Sequence, residues 1–360
     1  MVVCRGCGAD VKKIFLDLGL SPISNELIAL DSSLENDELF PLKVMVCEAC
    51  SFVMLLETLD RERLFNETYV YHSSYSESWL EHSKAFAEHM SELLNLSKDD
   101  LVVEVASNDG YLLRYFKMLG VSVLGIEPSR SVAEVAISNG VPTIVDFFGS
   151  KLSGELMLSR KPKLIVANNV LAHVPNIHDF IEGFSLLIDD QGLVTFEFPH
   201  LTNLIRNNQF DTVYHEHYSY LSITALKPIF ELYGLRIFDV EKISTHGGSL
   251  RIFLCKTISN WKTSSKVNEV LKEEGEFDPR SDEVILAINA QAKKIKNDLL
   301  NYLTKQKATG NLVAAYGAAA KGNTLLNYCS ITRDLVNFVV DANPEKQNKL
   351  LPGSRVPVFS

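Results

Sequence analysis

The chain reads LVVEVASNDGYLLRYF from residue 101 to residue 116. Residues 101–105 are mostly branched and apolar, which predicts a short buried strand. Small and polar residues then form a turn from Ala106 to Gly110, and a helical pattern begins at Tyr111. A strand, a small-residue turn and a helix are the first unit of a doubly wound sheet, which binds ligands at the carboxyl ends of its strands. The stretch therefore predicts an α/β fold with a ligand beside this turn.

Further strands are predicted at residues 121–126, just before residue 146, and at 163–167, 192–200, 235–243 and 250–256. Glu127 follows the second strand, where an acidic side chain can accept hydrogen bonds from both hydroxyls of a ribose. Asp146 and Phe147 end the third strand, in reach of an adenine ring, and Asn168 ends the fourth. Because parallel strands end at one edge of a sheet, we expect these side chains to lie close together. The last two strands are expected to close the sheet as an antiparallel pair.

The composition excludes several classes of protein. With 360 residues, the chain is expected to form two or three domains, and its 46% hydrophobic and 22% charged residues are those of an ordinary globular protein. A formal net charge of −10 argues against a nucleic-acid partner, which would need a basic surface. The sequence shows neither a run as long as a membrane span nor the pattern of a signal peptide. We therefore expect a cytoplasmic protein.

Four of the six cysteines form two matching pairs, Cys4-x-x-Cys7 and Cys47-x-x-Cys50. This spacing is typical of zinc knuckles, and two knuckles complete a tetrahedral site of four thiolates. Because no ligand position is left for water, the ion is predicted to be structural. Four free thiols or a redox pair are the alternatives.

A dense group of ionisable side chains occupies residues 211–220, which read DTVYHEHYSY. Histidine titrates near neutral pH, and a neighbouring tyrosine or glutamate can fix its tautomer, so Tyr214, Glu216 and His217 indicate an acid/base site. A polar loop with a metal-binding His215-x-His217 pair is the alternative. Tyr71 and Tyr75 precede a predicted helix at residues 77–96, and they could either pack against that helix or cover the site.

The region after residue 257 begins with helical patterning over residues 264–303, with its most convincing helix at 287–303. Residues 311–324 then read as a strand, a turn with small residues and a helix. Backbone N–H groups of such a turn, together with Lys321, would suit a phosphate or diphosphate, although a tight βα turn without a ligand explains the same pattern. The chain ends soon after one more strand, so this domain is predicted to be either truncated or abbreviated.

Together these motifs resemble the zinc-containing, S-adenosylmethionine-dependent sugar C-methyltransferases, which act on nucleotide-linked 4-keto deoxysugars. The matching features are the four knuckle cysteines and the segments 103–110, 169–173, 214–217 and 245–251. The resemblance covers residues 1 to about 257 and is specific, because zinc knuckles and a Tyr-His-Glu-His stretch rarely accompany a methyltransferase fold. One departure is Ala106, which stands where most such enzymes carry glycine.

The resemblance implies a reaction and a set of residues. His217 would remove the sugar C3 proton to give an enolate, and Tyr214, Glu216, His173 and Tyr71 would support it. The residues implied for S-adenosylmethionine are Glu104, Ala106, Asn108, Gly110, Glu127, Asp146, Phe147 and Asn168. The residues implied for the nucleotide-sugar are Tyr75, His246, Gly248, Ser249, Lys321 and Asn323. Zn²⁺ would be held by Cys4, Cys7, Cys47 and Cys50.

The sequence thus predicts a zinc-binding module at residues 1–62, a connecting helix or lid at 63–97, a class I methyltransferase domain of Rossmann-like fold at 98–257, and a C-terminal Rossmann-like domain for the nucleotide-sugar at 258–360. An NAD-dependent oxidoreductase is a rival, although residues 106–110 lack the Gly-x-Gly-x-x-Gly turn that it needs. A catalytically degenerate zinc-containing binding protein is a second rival. The oligomeric state is left open, and a monomer is compatible with the sequence.

Overall fold

The N-terminal module is a small β structure. A computed structural model of the protein describes residues 2–30, 37–65, 72–156 and 161–360. The elements of the module are β1 (Val2–Val3), β2 (Asp10–Val11), β3 (Lys13–Ser21), β4 (Ile28–Ala29), β5 (Phe40–Val46), β6 (Val53–Leu55) and α1 (Arg61–Leu64). Strand β5 pairs antiparallel with β3 and with β6. The buried side chains of these strands form a core with residues of the later domains, which include Leu201, Leu204, Ile205, Ile288 and Ala292.

The central domain begins with the long helix α2 (Glu77–Leu93), which is three residues shorter than predicted. It ends early because Asn95 adopts a left-handed φ of 47°, a common way to terminate a helix. The remaining elements are β7 (Leu101–Val105), α3 (Leu113–Met118), β8 (Ser122–Ile126), α4 (Arg130–Ser138), β9 (Thr143–Ile144), α5 (Ser150–Glu155), β10 (Leu164–Asn168), α6 (Ile177–Leu187), β11 (Leu193–Pro199), α7 (Leu201–Arg206), β12 (Ser219–Tyr220), α8 (Ile223–Leu232), β13 (Leu235–Ile243) and β14 (Ser249–Lys256).

The described residues of this domain form a sheet of seven strands in the order β13-β14-β11-β10-β7-β8-β9. Strands β7 to β11 run parallel, and β14 lies antiparallel between β11 and β13. The chain order reverses between β7 and β10, and ligands bind at such a switch point, beside the carboxyl ends of the strands. The predicted α/β fold is confirmed.

The C-terminal region contains α9 (Ser265–Glu276), α10 (Asp282–Ala308), β15 (Ala314–Tyr316), α11 (Ala320–Tyr328), β16 (Phe338–Val340), β17 (Lys349–Leu350) and β18 (Pro357–Phe359). The helix predicted at residues 287–303 lies inside α10. The sheet order is β15-β16-β18-β17-β4, so that a strand of the N-terminal module joins the C-terminal sheet. Likewise β12 of the central domain pairs with β6 of the module. The predicted domain boundaries stay a prediction, since these two sheets cross them.

No helix in the described ranges is both long and apolar enough to pass through a lipid bilayer.

The turn after β7 has three residues in the left-handed region of φ. Ala106, Asn108 and Gly110 have φ values of 56°, 50° and 79°. Glycine adopts this conformation without strain, asparagine tolerates it, and alanine does so at a cost of about 1–2 kcal/mol. A Cβ at Gly110 would lie 3.1 Å from Val141 Cγ2, so glycine is also required there by packing. The turn therefore keeps the backbone of a glycine loop although glycine occupies only one of the three positions.

We expect Ala106→Gly to stabilise the protein by up to about 1 kcal/mol, because it removes a Cβ from a residue with positive φ. The free energy of unfolding from urea titration measures the effect. Ala133→Gly in α4 is the matched control, since the same change in a helix should destabilise by about 1 kcal/mol or more. Equal destabilisation by both substitutions would contradict the interpretation of strain at Ala106.

Candidate active site

A cavity of about 350 Å³ opens at the carboxyl edge of the central sheet. Its wall combines the ends of β7, β8 and β10 with the loop before β12 and the start of α11. The residues predicted from the sequence that line it are Ala106, Asn108, Glu127, Asp146, Phe147, Asn168, His173, Tyr214, Glu216, His217, His246 and Lys321. One cavity thus brings together most of the residues predicted for the cofactor with those predicted for catalysis.

Glu127 is fixed by the backbone around it. Its Oε2 accepts a hydrogen bond of 2.9 Å from the N–H of Asn108, and its Oε1 accepts one of 2.9 Å from the N–H of Ser129. Burial raises the pKa of this carboxyl to about 7. Each oxygen keeps a further lone pair, so the group can accept the two hydroxyls of a ribose in addition to these bonds.

The turn after β7 is covered by residues 73–75, a short 3₁₀ turn before α2. The N–H of Ser73 donates to Asn108 Oδ1 at 2.8 Å, and the N–H and hydroxyl of Ser74 donate to Asp109 Oδ2 at 3.1 and 2.5 Å. Tyr75 itself is 59% exposed, and its ring packs on His72 rather than on the cavity. Its role in substrate binding stays a prediction that this geometry does not support, because the turn directs its ring to solvent. Tyr71 lies outside the described residues.

Other predicted residues lie near the cavity without lining it. Glu104 is wholly buried within β7 and lies beside Tyr111, and burial raises the pKa of both groups well above their ordinary values. Gly110 packs under the turn against Val141.

Among the described residues, Gly248, Ser249 and Asn323 are likewise absent from the cavity wall. Ser249 donates its hydroxyl to the carbonyl of Thr245, and Gly248 accepts a bond from Asn203, so both hold the turn that carries His246.

Tyr214 and His217 form a hydrogen-bonded pair. The Tyr214 hydroxyl lies 2.8 Å from His217 Nε2, and His217 Nδ1 lies 2.9 Å from the carbonyl oxygen of Thr212. A carbonyl can only accept, so Nδ1 carries the proton and Nε2 presents its lone pair to the tyrosine. Burial, followed by the neighbouring His173, lowers the pKa of His217 well below its ordinary value. The imidazole is therefore neutral at pH 7 and can accept a proton.

His173 completes this wall. Its ring centroid is 4.7 Å from that of His217, and the ring of Phe65 packs on it at 5.6 Å. Burial lowers the pKa of His173 to about 4, so two neutral imidazoles lie side by side at pH 7. The alternative of a metal held by His215 and His217 finds no support in this geometry. His215 is 1% exposed and packs against Phe40, whereas His217 lines the cavity.

Glu216 is held by the N-terminal module. Asn25 Nδ2 lies 2.7 and 2.9 Å from the two carboxylate oxygens of Glu216. Glu216 is 3% exposed. Burial raises the pKa of Glu216 to about 7, and the Asn25 amide and Lys346 oppose the shift. The carboxyl is thus balanced between its two protonation states near neutral pH.

We expect Glu216→Gln to stabilise the protein relative to wild type more at pH 8 than at pH 5. The pKa of Glu216 is raised from 4.5 to about 7 on folding, so its contribution to stability is fully present below pH 4.5 and is lost as the pH rises through 7. This loss of stability amounts to at most about 3 kcal/mol in the wild type, and the glutamine variant does not undergo it because glutamine does not ionise. Urea unfolding of both proteins at the two pH values measures the difference. The exposed Glu88→Gln on α2 is the control, and a pH-independent difference for Glu216→Gln would refute the expectation.

Several residues of the cavity wall were not predicted from the sequence. They are Asn25, Arg61, Trp79, Asn169 and Lys346. Asn169 carried a local signal, since it directly follows the fourth strand. Trp79 lies on α2, and its ring contacts those of His82, Tyr111 and His246. Asn25 lies in a segment that reads as a turn, and no local pattern marks Arg61 or Lys346.

The cysteine pairs form a compact cluster. Cys4 Sγ and Cys50 Sγ are 3.6 Å apart, as are Cys7 Sγ and Cys47 Sγ, and all four sulfur atoms lie within 4.8 Å of one another. Zinc–sulfur bonds of about 2.3 Å in a tetrahedron place sulfur atoms about 3.8 Å apart, so the cluster fits a Zn²⁺ ion with four thiolate ligands. The ion would hold the two knuckles together.

We expect Cys47→Ser to lose most of its bound zinc, since three thiolates and a hydroxyl bind the ion less tightly. Elemental analysis of the purified protein measures the metal per chain. Cys329→Ala, which removes a buried cysteine outside the cluster, should retain the full amount. A full complement of zinc in the Cys47 variant would contradict the four-cysteine site.

Three family models match successive parts of the chain. A family model described as "Putative zinc binding domain" matches residues 4–65, one described as "Methyltransferase domain" matches residues 75–240, and one described as "C-methyltransferase C-terminal domain" matches residues 244–360. The C-methyltransferase NovU of Streptomyces niveus is 33% identical over 358 residues, which are 99% of this chain and 85% of NovU.

Solved structures are similar to about half of this chain at lower identity. One is the magnesium protoporphyrin IX methyltransferase ChlM of Synechocystis PCC 6803 with bound SAH, at 16% identity and a TM-score of 0.40 over 49% of this chain and 83% of ChlM. Another is the CcbJ methyltransferase of Streptomyces caelestis, at 11% identity and a TM-score of 0.38 over 48% of this chain and 89% of CcbJ.

The sheet, the cavity and the matching domains define an S-adenosylmethionine-dependent methyltransferase with a zinc-binding module. More narrowly, the chain belongs to the family of C-methyltransferases that includes NovU. This membership decides against an NAD-dependent oxidoreductase.

Proposed function

We propose that the protein methylates C3 of a nucleotide-linked 4-keto deoxysugar through an enolate. The observation that carries the proposal is the Tyr214–His217 pair in the wall of the cavity, beside the carboxyl ends of β7, β8 and β10. A carbon next to a ketone is nucleophilic only after it loses a proton, so methylation there needs a base and a group that stabilises the enolate oxygen. The pair supplies one group of each kind.

His217 is the proposed base. Its Nδ1–H is engaged by the carbonyl of Thr212, which fixes the tautomer and aims the Nε2 lone pair toward Tyr214 and the cavity. When a ketone occupies the cavity, the Tyr214 hydroxyl can donate to the ketone oxygen and leave Nε2 free to take the C3 proton. The depressed pKa of His217 keeps the ring neutral, and transfer of the proton becomes favourable as the enolate and the imidazolium form side by side.

The cofactor site is proposed at the carboxyl edge of the sheet. Glu127 would hold the ribose, Asp146 and Phe147 would contact the adenine, and Asn108 and Asn168 would line the path between them and the pair. When it is bound, S-adenosylmethionine supplies an electrophilic methyl group to the carbon that His217 has deprotonated. Burial of His217 limits the access of water, which would otherwise return a proton to that carbon.

A group of cations supports a nucleotide-linked substrate. Arg61, Lys321 and Lys346 all line the cavity, although the chain as a whole carries a formal net charge of −10. Lys321 Nζ lies 3.4 Å from the carbonyl oxygen of His246, and burial lowers its pKa. Lys346 Nζ donates to the carbonyl of Ala318 at 3.0 Å, beside the start of α11. Cations and the N-terminus of a helix together favour a diphosphate.

We expect His217→Asn to abolish exchange of the C3 proton with solvent deuterium in a nucleotide-linked 4-keto deoxysugar, assayed without cofactor. Loss of a general base typically lowers a rate by about 10²–10⁴-fold. Nuclear magnetic resonance of the sugar follows the exchange, and calorimetric titration with S-adenosylhomocysteine shows that the variant is folded. His89→Asn on the exposed face of α2 is the control. Undiminished exchange in the His217 variant would sink its assignment as the base.

A further inference from the structure

Arg5 connects the zinc knuckle to the loop of the acid/base pair. It stands between Cys4 and Cys7, and its side chain turns inward toward the central domain. The guanidinium Nη1 donates to the carbonyl of Leu55 at 3.1 Å, and Nη2 donates to the carbonyl of Tyr218. Tyr218 follows His217 directly, so a residue of the first knuckle bonds to the backbone one position away from the proposed base.

The same carbonyl receives a second bond from the module. The N–H of Leu55 donates to the carbonyl of Tyr218 at 2.9 Å, and β12 continues the pairing with β6 through Ser219 and Tyr220. The Tyr218 hydroxyl donates to the carbonyl of Leu59 at 2.6 Å. The end of the loop is therefore fixed by several hydrogen bonds to the module. Arg5 makes one of these bonds, and it lies between two of the zinc ligands in the sequence.

The charge of Arg5 has no carboxylate partner among the residues that the structure describes, where its polar contacts are backbone carbonyls. Four thiolates around a divalent cation carry a net negative charge, so an adjacent guanidinium is electrostatically favoured at that position. A flexible surface arginine would not be held in this way. The geometry indicates that Arg5 is placed by the knuckle and in turn places the backbone after His217.

We infer that Arg5 is a positioning residue for the Tyr214–His217 pair, and this inference rests on the proposed function. Two backbone bonds at Tyr218 set where the loop enters β12, and the loop sets the direction of the His217 ring between Thr212 and Tyr214. A displacement of about 1 Å in a reacting group can cost about a hundredfold in rate. Arg5 thereby contributes to catalysis without touching substrate.

Arg5→Gln tests the inference. We expect it to lower kcat for methyl transfer and the rate of C3 exchange by about tenfold to a hundredfold, because the loop loses the charged donor at Tyr218. The KM for the nucleotide-sugar, the Kd for S-adenosylhomocysteine and the zinc content should each change by less than about twofold, since Arg5 touches none of these groups. Arg5→Lys, which can donate to one of the two carbonyls, should recover part of the rate. Hydrogen–deuterium exchange of residues 211–220 should be faster in Arg5→Gln.

The matched control is Lys43→Gln, which removes a cation from the same module at its surface pair with Asp17. It should leave all six measurements at the wild-type values. Wild-type rates in Arg5→Gln would overturn the inference, as would a loss of zinc or cofactor binding in proportion to the loss of rate, because Arg5 would then be only structural. A wild-type protein that fails to exchange the C3 proton would instead refute the proposed function itself.

Discussion

The geometry of the proposed active site depends on how the loop of residues 211–220 is held in place. Residues 211–220 carry the proposed base, yet they form only a short 3₁₀ turn and the two residues of β12. Their position is set by three other parts of the chain. The hydroxyl of Thr324 donates to the carbonyl of Val213 at 3.0 Å, Asn25 binds Glu216, and Arg5 binds the carbonyl of Tyr218. An irregular segment has few hydrogen bonds of its own, so these outside contacts determine its geometry.

This arrangement explains why polar groups that are costly to bury lie so close together. Burial raises the pKa of Glu127 and of Glu216 and lowers the pKa of His217, so that it favours the neutral form of each group. Water in contact with these groups would weaken the shifts, so the packing of the elements around the cavity helps to maintain them. Groups whose pKa is displaced by burial are common at catalytic sites, because a reaction at neutral pH needs acids and bases tuned away from their ordinary values.

Much of this site could be predicted from local sequence, and the rest could not for a physical reason. Asn168 ends a strand, and Glu127 and the turn at Ala106 follow directly after strands. Parallel strands end at one edge of a sheet, so the proximity of these residues follows from the fold. Asn25, Arg61 and Lys346 reach the cavity through packing of distant segments, which leaves no periodic signal. The role predicted for Tyr75 stays a prediction. Its place in a cluster of tyrosines suggested a site, and in the structure the backbone N–H groups of Ser73 and Ser74 bond to the turn after β7 while Tyr75 is mostly exposed.

The pairing of β4 with β17 has a consequence for how the protein folds. Residues 28–29 leave the ribosome long before their partners at residues 349–350 are made. Contacts so far apart in sequence form late, since a long loop must close before they are gained. Lys346 lies just before β17 and reaches the cavity with it. The central sheet can therefore form while the chain is still being synthesised. The wall of the cavity is complete only later, once Lys346 has been made and the C-terminal sheet has formed.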